Sequence, residues 1–414
     1  MTSKDNKKYI NKIFLDLPKY FLPLAVFFIL ISTAVTNIFV ILTLITSLIS
    51  LTMNKNYKIF FEKNIIKYSC LIYIVLFLSY FYTIAHDSEA IDLLKKYIKF
   101  LYIPIIYYYV KLYNNENLVI NYFIKGSVLV LFLSYLKYFN ILDFNVFYNF
   151  LNDFHIASVK DKIIFDNTGV FQNYLTQGII FSFLSFLSFI MAKKNNNILL
   201  YLVSLMSFVN VLLLNNSRTG YILVLAFLAM IVFKYVKFNK FLFFVGVIFI
   251  CSITFSANIA NNFLDRVNNL NIDVELINNH DYDSSLGKRY LWFKNGIENI
   301  KNKPLLGHGV GSYNNTIADY ISINDIDIHV SSIVTNNPHN EFISISSQIG
   351  LFGFSLFVMF LFSLYKESSS SFLAQGVFIT VLISSLFNSA FYDNILGIFL
   401  VILIGVSYQS KKSI

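Results

Sequence analysis

The sequence predicts an all-α polytopic membrane protein of about twelve transmembrane helices. Three observations predict it. Hydrophobic residues make up 56% of the 414 and charged residues only 13%, against roughly 25% charged in soluble domains. Apolar runs of about 17–25 residues recur, each long enough to cross about 30 Å of hydrocarbon. The short alternating segments of a closed β-barrel do not dominate anywhere.

The candidate spans are 19–34, 37–53, 68–86, 97–113, 117–136, 174–192, 197–214, 219–236, 240–257, 341–365, 371–390 and 394–409. The first two share one apolar stretch, broken near Ser32, Thr33 and Asn37. A single long helix is the alternative, and it would invert every later span. No cleavage-site pattern follows the first run, so it reads as a retained anchor. Spans three to five follow with Lys-bearing loops between them. A loop near 137–173 separates them from the next four. A larger loop, 258–340, precedes the tenth span, and two close-set spans finish the chain.

Orientation follows from Lys and Arg in short loops. With the N-terminus inside, eighteen Lys fall in cytoplasmic segments, Lys55, Lys63, Lys111 and Lys366 among them. The short outer loops hold seven cations: Lys95, Lys96, Lys99, Lys137, Lys160, Lys162 and Arg218. The bias predicts both termini in the cytoplasm and both long loops outside. The net charge of +9 therefore sits in inter-helix loops and is not a nucleic-acid signature. Cys70 and Cys251 lie in apolar runs and carry no spacing signal.

The expected organisation is a single membrane domain: helices and short loops over 1–257, a large outer loop over 258–340, and three final spans over 341–414. The large loop holds the sole tryptophan, Trp292, in a helix-like pattern. Ser284 or Ser285 can cap that helix, Tyr290, Phe293, Ile297 and Ile300 recur at helical spacing, and Pro304 with Gly307 stop it.

Three clusters could carry chemistry. In Pro338-His339-Asn340-Glu341-Phe342 a histidine stands where a polar loop meets an apolar run, and histidine moves protons near neutral pH. Asn336 or Asn337 can cap a helix with Pro338 at its first position. His339 would then lie in the first turn, where the helix dipole keeps imidazole neutral. It is a general-base candidate on one reading and an interfacial capping residue on the other. In Ser217-Arg218-Thr219-Gly220 the guanidinium either snorkels to headgroups or grips a phosphate. In Gly287-Lys288-Arg289-Tyr290 the cations form a solvated face or, through Arg289 in preference to Lys288, neutralise a pyrophosphate. Gly307-His308-Gly309-Val310-Gly311 does not follow a strand and reads as a tight turn. No histidines stand at metal-ligand spacing with a carboxylate, so neither metal nor cofactor is expected.

Taken together, the chain resembles the O-antigen ligase and polymerase superfamily of bacterial envelope enzymes. The resemblance rests on Ser-Arg-Thr-Gly at 217–220, then Ser-Leu-Gly-Lys-Arg-Tyr-Leu-Trp at 285–292 with Asn-Lys-Pro-Leu-Leu-Gly-His-Gly at 302–309, then His-Asn-Glu at 339–341 with Gly350 and Gly353. It implies a lipid-linked glycan transferase of the inner membrane, working on its periplasmic side. The donor would be a glycan on undecaprenyl pyrophosphate and the acceptor a sugar hydroxyl of the lipid A core. Arg218 and Arg289, with Lys288, would hold the pyrophosphate, His339 would be the catalytic base, and Asn340 would orient the acceptor or the imidazole, or cap the helix. A polymerase of the same superfamily is the near rival. A lipid-linked oligosaccharide flippase is the rival of another class, and it predicts cations within the spans and symmetry between halves; neither is evident.

Overall fold

The computed structural model describes residues 17–141, 169–215, 217–235, 271–328, 332–369 and 371–409. The span expected at 240–257, and most of the loop near 137–173, lie outside the described residues. Among the described residues every regular element is helical. Among the described residues six helices are long and apolar enough to cross a membrane: Thr33–Met53, Asn64–Tyr82, Glu116–Tyr138, Tyr174–Asn195, Arg218–Tyr235 and Glu341–Ser368. Shorter apolar helices, such as Phe372–Phe387 and Asn394–Ser407, accompany them.

The first ambiguity resolves into two helices, α1 (Phe21–Phe28) and α2 (Thr33–Met53). Between them the Ile31 and Ser32 N–H groups both bond the Phe28 carbonyl. The Ser32 hydroxyl then accepts from Val35 N and caps α2, which a mid-helix serine would not do. Asn37 lies inside α2. Next come α3 (Asn64–Leu78), the amphipathic α4 (Asp87–Tyr97), α5 (Lys99–Tyr113) and α6 (Glu116–Tyr138). Lys99, read from sequence as a loop lysine, is buried, and its ammonium bonds the Asp393 and Tyr392 carbonyls. Then follow α7 (Tyr174–Asn195), α8 (Ile198–Val209) and α9 (Arg218–Tyr235). The large loop contributes α10 (Ser285–Asn302) and α11 (Tyr313–Ile323). The chain closes with α12 (Glu341–Ser368), α13 (Phe372–Phe387) and α14 (Asn394–Ser407).

Long-range polar contacts define two ends of the bundle. At one end Lys63 pairs with Glu367 at 3.3 Å and Lys111 with Glu62 at 2.7 Å, while Asn115 donates to the Lys19 carbonyl. At the other, Gln172 reaches Thr33, Asn388 reaches Thr219, and Thr83 reaches the Val310 carbonyl. Helices α1, α3, α6, α8 and α13 run from the first end to the second, and α2, α5, α7, α9, α12 and α14 run back. The helices α10 and α11 sit at the second end.

The centre is aromatic. Phe183 of α7 packs on Phe123 and Phe399, and Phe186 stacks on Phe227 at 4.5 Å. Outward faces are apolar too: Ile38, Ile41 and Ile45 on α2, Leu202 and Leu205 on α8. Apolar surface on this scale calls for a hydrocarbon neighbour.

Helix α12 is broken. Ile349 and Gly350 leave helical geometry, Gly350 with φ +62°. The break frees backbone groups that would be costly unpaired in a membrane protein, and the segment 304–311 pairs them. Leu351 N donates to the Pro304 carbonyl at 2.7 Å, while His308 N and Gly309 N donate to the Ser347 and Gln348 carbonyls. Gly307, Gly309 and Gly311 all take positive φ to make this approach.

Candidate active site

His339 lies at the second end, on the loop entering α12. The helix starts three residues later than a first position at Pro338: its N-cap is Asn340, whose Oδ1 accepts from Ile343 N at 3.0 Å. His339 itself has φ +52°, so it stands outside the first turn. The reason is local. Thr335 Oγ1 accepts from Asn337 N, and Asn337 Oδ1 accepts from His339 N, forming side-chain turns that compete with a helix start. Asn340 Nδ2 also donates to the Leu386 carbonyl, so both its polar atoms are committed to the fold.

The His339 ring lies against Trp292 of α10, with centroids 5.1 Å apart at 33°. Trp292 is fixed in turn: its indole N–H donates to the Ile333 carbonyl at 2.9 Å, and its own carbonyl accepts from the Tyr313 hydroxyl. Burial first, and the Arg289 charge second, push the imidazole pKa from 6.5 down to about 4. The ring is neutral at physiological pH, through burial and Arg289 rather than through a place in the helix turn.

Arg289 sits on α10, whose start is capped by the Ser284 hydroxyl. Its pKa is lowered by burial and by Arg218, with Tyr174 acting the other way. The guanidinium nevertheless stays charged at neutral pH. Arg218 opens α9, where Ser217 Oγ accepts from Gly220 N at 3.1 Å. Gly220 lets α9 pass close to α7, where the Ser182 hydroxyl donates to its carbonyl; a Cβ there would press on the Gly178 backbone. Arg218, Arg289 and His339 therefore gather at one end of the bundle. Among the described residues neither arginine forms a salt bridge. Lys288 is half-buried on the neighbouring flank of α10.

Two further features went unread in the sequence. Trp292 was legible as a helix residue, not as the wall of the histidine. Glu341 is fully buried; its carboxylate accepts from the Tyr97 hydroxyl at 2.7 Å and from Phe391 N at 2.9 Å. It thereby ties the start of α12 to α4 and to the turn before α14. A carboxylate opening an apolar run was the available signal. Among the described residues no group of three or more His, Cys, Asp or Glu side chains gathers as a metal set.

A family model described as Wzy_C, O-antigen ligase, matches residues 200–358. That stretch, over which the chain is similar to the family, contains Arg218, Arg289 and His339 together. Its several long apolar helices make the chain a multi-pass membrane protein. A comparison with curated proteins gives no match.

Proposed function

We propose that the chain is an O-antigen ligase, a metal-independent glycosyltransferase. It moves a glycan from undecaprenyl pyrophosphate to a sugar hydroxyl of the lipid A core. One observation carries the reading: two guanidiniums without a carboxylate partner among the described residues gather beside a half-buried neutral imidazole. Like charges brought together cost free energy, and a pyrophosphate offsets that cost with paired N–H donors.

In the reaction the acceptor oxygen attacks the anomeric carbon. The bond from that carbon to the pyrophosphate oxygen breaks, and its electron pair leaves with the lipid pyrophosphate. Arg218 and Arg289 stabilise the charge growing on that leaving group, and Lys288 adds a third positive charge nearby. His339 takes the hydroxyl proton. Direct displacement inverts the anomeric carbon. The bound pyrophosphate also offsets the Arg289 charge, one of the two causes that weaken the imidazole as a base. His339 thus gains basicity when the donor is seated. Asn340, committed to its cap, acts by holding His339 rather than by touching substrate.

The positive-inside bias puts this end of the bundle on the periplasmic face of the bacterial inner membrane, with both termini cytoplasmic. The test is transfer with purified protein, undecaprenyl-pyrophosphate glycan and lipid A core, with and without EDTA. Chelator-resistant product on core, lost in His339→Ala, is expected. Longer lipid-linked chains without product on core would instead mark a polymerase.

A further inference from the structure

Helix α10 carries a second polar feature on a different flank. At 100° per residue, Arg289, Trp292 and Gly296 share one stripe; Trp292 meets His339 and Gly296 packs on Ile343 of α12. Tyr290 and Lys294 share another, and there they wall a cleft of about 770 Å³ together with Tyr282 and Tyr320. Cavities of about 300–1,000 Å³ are the usual size for bound small molecules.

The lining has a definite chemistry. The Tyr282 and Tyr290 rings are parallel within 6°, centroids 6.0 Å apart. The Lys294 ammonium lies 5.3 Å from the centre of the Tyr290 ring. Tyr290, Tyr320 and Tyr282 line the same cleft as Lys294, so three phenols and an ammonium converge. Carboxylates stand on both lips, Asp283 and Asp327 among them. Flat rings suit the C–H face of a pyranose. Hydroxyls, an ammonium and carboxylates suit its polar edge, since carboxylates accept from paired hydroxyls. The carboxylates disfavour phosphate and acidic sugars, and so polar a lining does not suit an acyl chain. Among the described residues the acids do not form a metal set.

We propose that this cleft is a second glycan subsite, binding uncharged or amine-bearing sugars of the chain being transferred, away from the reacting bond. Naming the transferred chain rests on the ligase reading; the cleft's preference for glycan does not. A helix with its side chains is about 10–12 Å across, so one oligosaccharide can reach both flanks of α10.

Saturation-transfer NMR tests it, using as probe the glycan released from the native lipid donor by mild acid. Wild type and His339→Ala should both bind the free glycan. Tyr290→Ala and Lys294→Ala should each bind at least about tenfold more weakly, with Tyr290→Phe in between because it keeps the ring. Both side chains are exposed at the cleft, so thermal melting of these variants should match wild type. Undiminished binding in the cleft variants, or no binding by wild type, overturns the subsite. Cleft-dependent binding by a wild-type protein that transfers nothing would refute the ligase reading alone.

Discussion

Protonation of His339 can be read directly, because Trp292 is the chain's only tryptophan and its ring lies 5.1 Å from the imidazole. Imidazolium quenches indole emission far more than imidazole does. An ordinary histidine with a pKa of about 6.5 is about nine-tenths protonated at pH 5.5. His339, at about 4, is then still about 97% neutral. Emission of the protein in detergent should therefore stay flat from about pH 7.5 to 5.5 and fall only around pH 4. The perturbation is Arg289→Gln. Removing a neighbouring positive charge favours the protonated ring, so the midpoint must rise. Burial is the larger cause and remains, so less than half of the fall from 6.5 to about 4 is recovered. The midpoint should reach at most about 5. Arg289→Lys should stay near the wild type, and His339→Gln should show no step. Inorganic pyrophosphate should raise the midpoint in wild type and not in Arg289→Gln. A wild-type midpoint near 6.5 would refute the burial of the ring. An unmoved midpoint in Arg289→Gln would refute the coupling between the two residues.

Other expectations concern the frame of the site. Gly350→Ala puts a Cβ on a φ of +62° and into the Leu305 carbonyl; a loss of about 1–3 kcal/mol should appear as a lower melting temperature in detergent. Glu341→Ala and Tyr97→Phe remove opposite ends of a 2.7 Å buried bond, and a double-mutant cycle of thermal stability should give a coupling of about 0.5–3 kcal/mol. Asn340→Ala loses the α12 cap and should cost about 1 kcal/mol. Asn340→Asp should recover most of that, since it keeps the oxygen facing Ile343 N.

Among the described residues the long apolar helices were legible because hydrocarbon dictates both length and composition. Their ends were less so: the third span was read as 68–86, whereas α3 runs Asn64–Leu78 and a last tight turn carries it on to Tyr82. There Thr83 turns away to bond the Val310 carbonyl, a partner 227 positions on that no local pattern announces. His339 was legible by residue type and by its place at the edge of an apolar run. Its exclusion from the helix was not, because competing Asn337 and Thr335 turns use the same residues that make good caps. The Trp292–His339 contact joins segments 47 residues apart, and sequence spacing cannot show it.

Gly307-His308-Gly309-Val310-Gly311, read as a tight turn, has a larger part in the structure. Breaking α12 at Gly350 leaves the Leu351 N–H and the Ser347 and Gln348 carbonyls without helical partners, and the 304–311 backbone supplies them. That segment begins two residues after α10 ends at Asn302. Its docking fixes one end of α10 against α12, and the Trp292–His339 contact fixes a point nearer the start of the same helix. Two separated attachments set both the position and the direction of α10, and with them the placing of Arg289 relative to His339. The glycines at 307, 309, 311 and 350 thus belong to the site through backbone geometry, although none contributes a functional side chain. Filling any one of them should shift the Trp292 titration as well as the melting temperature, whereas a defect confined to the turn would move only the latter.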